Sequence, residues 1–323
     1  MITRGEVSRV TGETGFRPEN VEKVLRLHGI LDRLDRHEVT HGTWVLKGGT
    51  ALNLLHLDVP RLSVDIDVNY IGSADVDGMR RARPDFERAL GACCEREGCT
   101  VRRVPSEHAG GKFRLRYPSV LGGSQNLEVD VSYVARVPLW GTTCLPVRFP
   151  PGSTLEVRTL TIDELAAGKF AALVQRTAAR DAFDAANLLG VMPDLLQRPA
   201  FRVAFVCFVA GSRADARELR ARERRSSNVI VERDLEPLLR RGARAHDMHG
   251  ATLARWIEGM LDPILPALLS WSPEERHFLD RLLDEGELEP SALHHDLAVQ
   301  DRIRNQPMLA WKAKHVRERR GKT

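Results

Sequence analysis

WVLKGGTALNLLHLDVPRLSVDIDVNY, running from Trp44 to Tyr70, decides how the rest of the chain is read. Trp44-Val45-Leu46 is a short apolar run that predicts a buried strand, and Gly48-Gly49 turns the chain sharply after it. Thr50 is placed to cap a following helix whose apolar face is Ala51, Leu52, Leu54 and Leu55. Beyond Pro60, Ser63-Val64-Asp65-Ile66-Asp67-Val68 alternates at period two and predicts a second strand. Its alternation puts Asp65 and Asp67 on one face, roughly 7 Å apart at a rise of ~3.3–3.4 Å per residue. Two carboxylates facing one way repel each other unless positive charge lies between them, and a divalent cation meets that need.

Around this stretch the chain is ordinary in bulk and uneven in charge. Of 323 residues, 42% are apolar and 28% charged, enough for a real core and for two domains. No apolar run approaches about 18 residues, and no apolar segment follows the N-terminus, so neither a membrane span nor a secretory signal is expected. Cys93, Cys94, Cys99, Cys144 and Cys207 match no zinc spacing and read as reduced thiols of a cytoplasmic protein. The net charge is +4, yet Arg302 to Thr323 alone holds eight Lys/Arg against Glu318, and Arg213 to Arg225 holds six arginines against three acids. Such an imbalance suits an anionic partner such as nucleic acid; equally, it is what arginine-solvated helices produce.

Residues 1–40 read as helical, with Val21, Val24, Leu25, Ile30, Leu31 and Leu34 at helical spacing. Residues 73–97 read as a further helix that Pro84 threatens to break. Short β-like runs follow at Thr100–Val104, Lys112–Tyr117, Leu127–Tyr133 and Leu145–Phe149, separated by Gly- and Pro-rich loops. In the third run Glu128, Asp130 and Ser132 share one face. If that run pairs beside 64–69, Asp130 is a third carboxylate next to Asp65 and Asp67; otherwise it is a solvated acid on an edge strand. Past Leu160 the pattern is almost wholly helical. Thr161-Ile162-Asp163-Glu164 opens one helix, with Lys169 and Arg176 two turns apart on one face, and a second begins near Ala179 with Arg180, Asp181 and Asp184. The composition change places a boundary at about residue 160, giving domains 1–160 and 161–323.

A glycine turn opening a helix, followed by S-x-D-x-D, fits a nucleoside triphosphate site. Backbone N–H groups at the turn can hold phosphate oxygens while carboxylates and Mg2+ bridge protein to nucleotide. His294-His295, His246 and His249 lack a ligand spacing, Trp256, Trp271 and Trp311 are too scattered for a base-stacking platform, and Gly110-Gly111-Lys112 lacks the spaced glycine of a P-loop.

K-G-G-T-A-L-N-L (47–54), S-V-D-I-D (63–67), K-x6-R-x3-R-D-x2-D (169–184) and P-M-L-A-W-K-A-K (307–314) together resemble the AbiEii-type toxins of type IV toxin–antitoxin and abortive-infection systems. The resemblance implies an α+β chain: a nucleotidyltransferase-fold core, a mixed sheet with flanking helices, followed by a mainly helical C-terminal domain. It implies Mg2+-dependent transfer of nucleotides from an NTP to an RNA acceptor, the 3′ end of tRNA in some members, and a cognate antitoxin protein. By position, it makes Gly48 and Gly49 the phosphate-turn glycines, with Lys47, Thr50, Ser63, Arg176, Arg180 and Asp181 completing the nucleotide-binding set. Asp65 and Asp67 become the metal pair, Lys169 and Asp184 the catalytic partners from the helical part, and Ser63 a position where phosphorylation silences some relatives. Asp130 as a third metal ligand rests on strand pattern alone. Three other readings share parts of this pattern: transfer to a protein or small molecule, a non-catalytic RNA- or antitoxin-binding protein, and a D-x-D glycosyltransferase. The intact acidic pair opposes the second, and the third needs a nucleotide-sugar domain ahead of a turn preceded by only about 40 residues.

Overall fold

A computed structural model describes residues 2–104, 110–176, 178–220, 228–240 and 249–321. The chain forms two compact units, 1–136 with 142–160 and 232–249, and 137–141 with 161–231 and 250–323. The chain passes from one unit to the other after Leu160, and 137–141 and 232–249 each belong to the unit opposite their sequence neighbours.

The first unit is built on a seven-stranded mixed sheet. Helices α1 (Arg4–Thr14) and α2 (Pro18–Arg36) precede β1 (Trp44–Leu46); α3 (Gly48–Ala51) runs into a wider turn, Leu52–His56; and β2 is Ile66–Tyr70. Then come α4 (Val76–Arg96), β3 (Thr100–Val104), β4 (Gly110–Pro118), β5 (Ser124–Ser132), β6 (Thr142–Pro146) and β7 (Glu156–Leu160). The strand order is β3-β4-β5-β2-β1-β7-β6. β2 runs parallel to β5 and β1 parallel to β7, and the remaining pairs are antiparallel. Alternation sets the faces: Phe113, Leu115 and Tyr117 of β4 and Leu127, Val129 and Val131 of β5 are buried, while the residues between them carry the charge. Phe86 of α4 meets Tyr70 edge-on at 5.3 Å, fastening that helix over the buried face.

Several expectations need correction. β2 begins at Ile66, not Ser63, so Asp65 lies in a bend ahead of the ladder, and strand alternation places Asp67 but not Asp65. Thr50 caps nothing: the helix starts at Gly48, and Thr50 is already inside its first turn. Pro84 does not break α4; it sits exposed, where water can take the carbonyl it leaves unpaired, and the buried stripe Met79, Phe86, Leu90, Cys93, Cys94 carries the helix through. The run at Leu145–Phe149 is a strand only to Pro146, and β7 was not anticipated.

The second unit is helical: α5 (Ile162–Gln175), α6 (Ala179–Val191), α7 (Pro199–Ala210), most of α8 (Asn228–Asp234), α9 (Gly250–Leu261), α10 (Leu265–Leu268), α11 (Pro273–Asp280), α12 (Leu297–Arg304) and α13 (Pro307–Arg320). Its centre is α7, apolar nearly all round, with Phe201 edge-on to Phe170 of α5 at 5.5 Å. The segment 137–141 is tied here. The Glu164 carboxylate accepts the Leu139 and Trp140 N–H groups at 3.0 and 3.2 Å, and Trp140 Nε1 donates to the Ala200 carbonyl at 2.9 Å. Thr161 stands at the N-cap of α5, but its buried hydroxyl makes no capping bond. Among the described residues no helix is long and apolar enough to cross a membrane.

Candidate functional site

The glycine turn, the acidic strand and the third strand meet in the first unit. β2 and β5 are parallel neighbours, and their register sets Asp67 directly beside Asp130. The condition set for Asp130, pairing of its strand beside 64–69, holds for Asp67 but not for Asp65, which lies ahead of the ladder: adjacent strands lie ~4.8 Å apart, and Asp67 and Asp130 leave the ladder side by side. Asp130 remains exposed on this strand, and partial loss of hydration followed by the Asp67 charge holds its carboxyl above the usual carboxylate range, against the opposing pull of Lys47 and Lys112. Lys47 also donates its backbone N–H to the Asp67 carbonyl at 2.9 Å, which fixes the turn to the strand.

Gly48 lies against this pair. Its φ is +68°, and a Cβ there would fall 2.5 Å from Asp67 Oδ2. Only glycine satisfies both the backbone and the approach. Gly49 is buried in the turn, and its carbonyl accepts from Asn53 Nδ2 at 2.8 Å. Thr50 Oγ1 lies 2.9 Å from Ser63 Oγ and donates to the Asp65 carbonyl at 2.5 Å. The turn thus holds the bend that carries Asp65. Ser63 is buried, so a modifying enzyme would reach its hydroxyl only if this bend opened.

Lys169, Arg176, Asp181 and Asp184 come together in the second unit. Lys169 Nζ stands 2.8 Å from Asp181 Oδ1 and 2.9 Å from Asp184 Oδ2, with all three residues buried. The helical-face argument for Arg176 is corrected: α5 ends at Gln175, and Arg176 is its extended cap residue. From there its Nε reaches Asp181 Oδ2 at 2.7 Å while most of the side chain is exposed. Burial raises the affinity of Asp181 for a proton, but Lys169 and Arg176 outweigh it and hold the carboxyl below its ordinary value. Arg180 is exposed in the first turn of α6.

Lys112 was missed. The β4–β5 hairpin sets it opposite Asp130, and its ammonium lies 2.6 Å from Glu128 Oε2. The signal was available: with Pro118 and Ser124 paired across the Gly122-Gly123 turn, counting back along the alternation reaches this pair. The P-loop reading of Gly110-Gly111-Lys112 fails as expected, since the three residues lie in β4.

The basic segments are partly committed within the unit. Lys312 donates to the Ser212 carbonyl at 2.9 Å, Arg317 to the Gly286 carbonyl, and Arg217 is ringed by Asp215, Asp280 and Asp284. Residues 221–225 of the arginine-rich stretch, His246, and the final two residues lie outside the described residues. Cys93 and Cys94 are buried, as core residues would be.

Among the described residues no group of three or more His, Cys, Asp or Glu side chains is gathered as a ready metal cage. The Asp67–Asp130 pair offers two hard oxygen donors of the kind Mg2+ takes, and a cation between them would relieve their mutual repulsion.

A family model described as "Nucleotidyl transferase AbiEii toxin, Type IV TA system" matches residues 30–277. Among curated proteins none matches the chain in sequence. The fold is similar to that of MenT4, a nucleotidyltransferase toxin from Mycobacterium tuberculosis H37Rv, at a TM-score of 0.58 and 19% identity, covering 95% of this chain and 99% of that one. With the turn, the acidic strand and the helical lysine–aspartate cluster all inside the matched residues, the chain belongs to the AbiEii nucleotidyl transferase toxin family.

Proposed function

We propose that this toxin moves nucleotides from an NTP to an RNA acceptor, the 3′ end of a tRNA, and so blocks translation. The acceptor 3′-hydroxyl oxygen attacks the α-phosphorus, the bond to the β-phosphate oxygen breaks, pyrophosphate leaves, and the hydroxyl proton passes to solvent. Asp67 and Asp130, with Asp65 from the adjoining bend, would hold Mg2+, which when bound supplies charge neutralisation on the phosphates. Gly48 and Gly49 let the backbone approach phosphate oxygens, and Lys47 brings a cation to the same edge. Lys169, Arg176, Arg180, Asp181 and Asp184 enter through their motif, supported by the ion pairs that keep Asp181 charged. Membership of a toxin–antitoxin family implies a cognate antitoxin.

The observation that carries this reading is the Asp67–Asp130 register beside a turn where only glycine fits. The test is incubation with total RNA and each α-labelled NTP in turn, with Mg2+ and with EDTA. Label should enter RNA of tRNA size for one or more NTPs, vanish in EDTA, and fall by at least ~100-fold in folded Asp67→Ala and Asp130→Ala. Label on protein instead of RNA would overturn the acceptor assignment, and undiminished transfer in both variants the metal assignment.

A further inference from the structure

The bend that carries Asp65 has no sheet to hold it. Residues 62–65 precede the ladder, and the Leu62 N–H and carbonyl and the Asp65 carbonyl find partners elsewhere. On one side Thr50 takes the Asp65 carbonyl and approaches the Ser63 hydroxyl. On the other the partner comes from more than 170 residues downstream: the Leu62 N–H donates to the Leu238 carbonyl at 2.9 Å, and Arg61 forms an antiparallel bridge with Leu239. Arg61 then folds back, its guanidinium donating to the Leu62 carbonyl at 2.9 Å.

The downstream piece is built for the task. Leu235 to Arg240 is a tight turn, closed by Leu238 N–H on the Leu235 carbonyl at 2.9 Å and by Leu239 N–H on the Glu236 carbonyl at 3.1 Å. Leu235, Leu238 and Leu239 are buried. Asn20 of α2 donates Nδ2–H to the Pro237 carbonyl at 2.7 Å, and the Arg240 guanidinium lies 5.4 Å from the centre of the Phe16 ring. The turn is thus gripped from α2 and grips the bend in turn, all within the first unit.

We propose that Leu235–Arg240 is a strap that positions the Asp65 bend for its divalent cation, so that the C-terminal half of the sequence sets the donor site through a backbone contact. This rests on reading Asp65 and Asp67 as cation-binding carboxylates. The strap residues act through Leu62 and are positioning residues. Asn20→Asp is close in shape but removes the donor to Pro237, and Leu238→Ala empties the buried contact beside the Leu62 bond. In the full chain, hydrogen–deuterium exchange at the Leu62 amide should speed up in both variants. The affinity for Mn2+, read from the free-ion paramagnetic resonance signal, should fall about tenfold, and saturating Mn2+ should restore nucleotide transfer. Unchanged Mn2+ affinity in both folded variants overturns the strap, as does a loss that saturating metal does not recover. Asp67→Ala separates the two ideas: if it alone loses Mn2+, the carboxylate reading stands and the strap falls, whereas if it binds like the wild type, both fall.

Discussion

A methyl group added at residue 48 would meet two obstacles that can be separated. The first is backbone: φ of +68° is the left-handed region, where a β-carbon costs about 1–2 kcal/mol. The second is the Asp67 carboxylate, 2.5 Å from where that carbon would sit. Gly42 has φ of +70° with nothing within 4 Å, so Gly42→Ala meets only the first. Gly42→Ala should lose about 1–2 kcal/mol in urea unfolding, and Gly48→Ala at least as much. Only Gly48→Ala should lose nucleotide transfer, because the Asp67 carboxylate must swing away; equal activity in the two would show that this approach has no catalytic meaning. At this scale the sequence was legible where chemistry is local. Gly48, Gly49 and Asp67 announce themselves through a turn and an alternation. Asp130 stood out only as an acid on an alternating strand; its pairing beside Asp67 stayed conditional, because a parallel pairing of strands some sixty residues apart leaves no local mark. The Thr50–Ser63 contact leaves none either, since it depends on where the bend folds back.

Elements betray their centres better than their ends. The helix over Val76–Arg96 was legible from its stripe, and exposure of Pro84 decided that it continues; exposure is a tertiary fact. β2 starts at Ile66 where Ser63 was expected, and α5 ends just short of Arg176, since both ends are set by partners outside the element. The start of α5 carries a further consequence. Glu164 is 3% exposed, and burial lifts its carboxyl to about 7, against the pull of the Leu139 and Trp140 N–H groups and of Arg302. An acid with a raised folded-state value binds its proton more tightly in the native protein than in the unfolded chain. Its contribution is full below the unfolded value near 4.5 and is lost as pH rises through 7. The loss amounts to about 3 kcal/mol. Glu164→Gln keeps an acceptor for the two N–H groups and cannot ionise. Its stability relative to wild type should rise by about that amount between pH 5 and pH 8, measured by chemical unfolding at each pH. A constant gap would mean that Glu164 does not titrate in this range.

Across the whole molecule, charge is arranged more locally than the net +4 suggests. The acidic run Glu274–Glu289 sets seven acids against Arg276 and Arg281, and its turn at 281–285 packs against α13, the most basic helix. Part of the tail's charge therefore serves the fold. Lys312 and Arg317 hold backbone carbonyls, and burial holds Lys312 below the usual lysine range. Lys314, 3.7 Å from Glu318, and Arg319 and Arg320 are exposed on the same helix, as is Trp311, whose ring stacks on His315 at 5.2 Å. Sequence counting could not single out Lys312, because a carbonyl partner a hundred residues away is invisible in a local charge tally. The carbonyl bonds of Lys312 and Arg317 predict two different outcomes for substitutions that look alike. Replacing Lys314, Arg319 and Arg320 with Gln should weaken RNA binding and reduce the slope of log affinity against log salt by about 0.7 for each phosphate that is no longer neutralised. Replacing Lys312 and Arg317 with Gln should leave that slope in place and lower the unfolding midpoint, since each removes a donor from a backbone carbonyl. Filter binding of total tRNA from low to moderate salt, beside thermal unfolding of both variants, separates the two. A slope unaltered by the first set would place the RNA surface away from α13, and a slope reduced by the second would make the carbonyl-bound cations part of it.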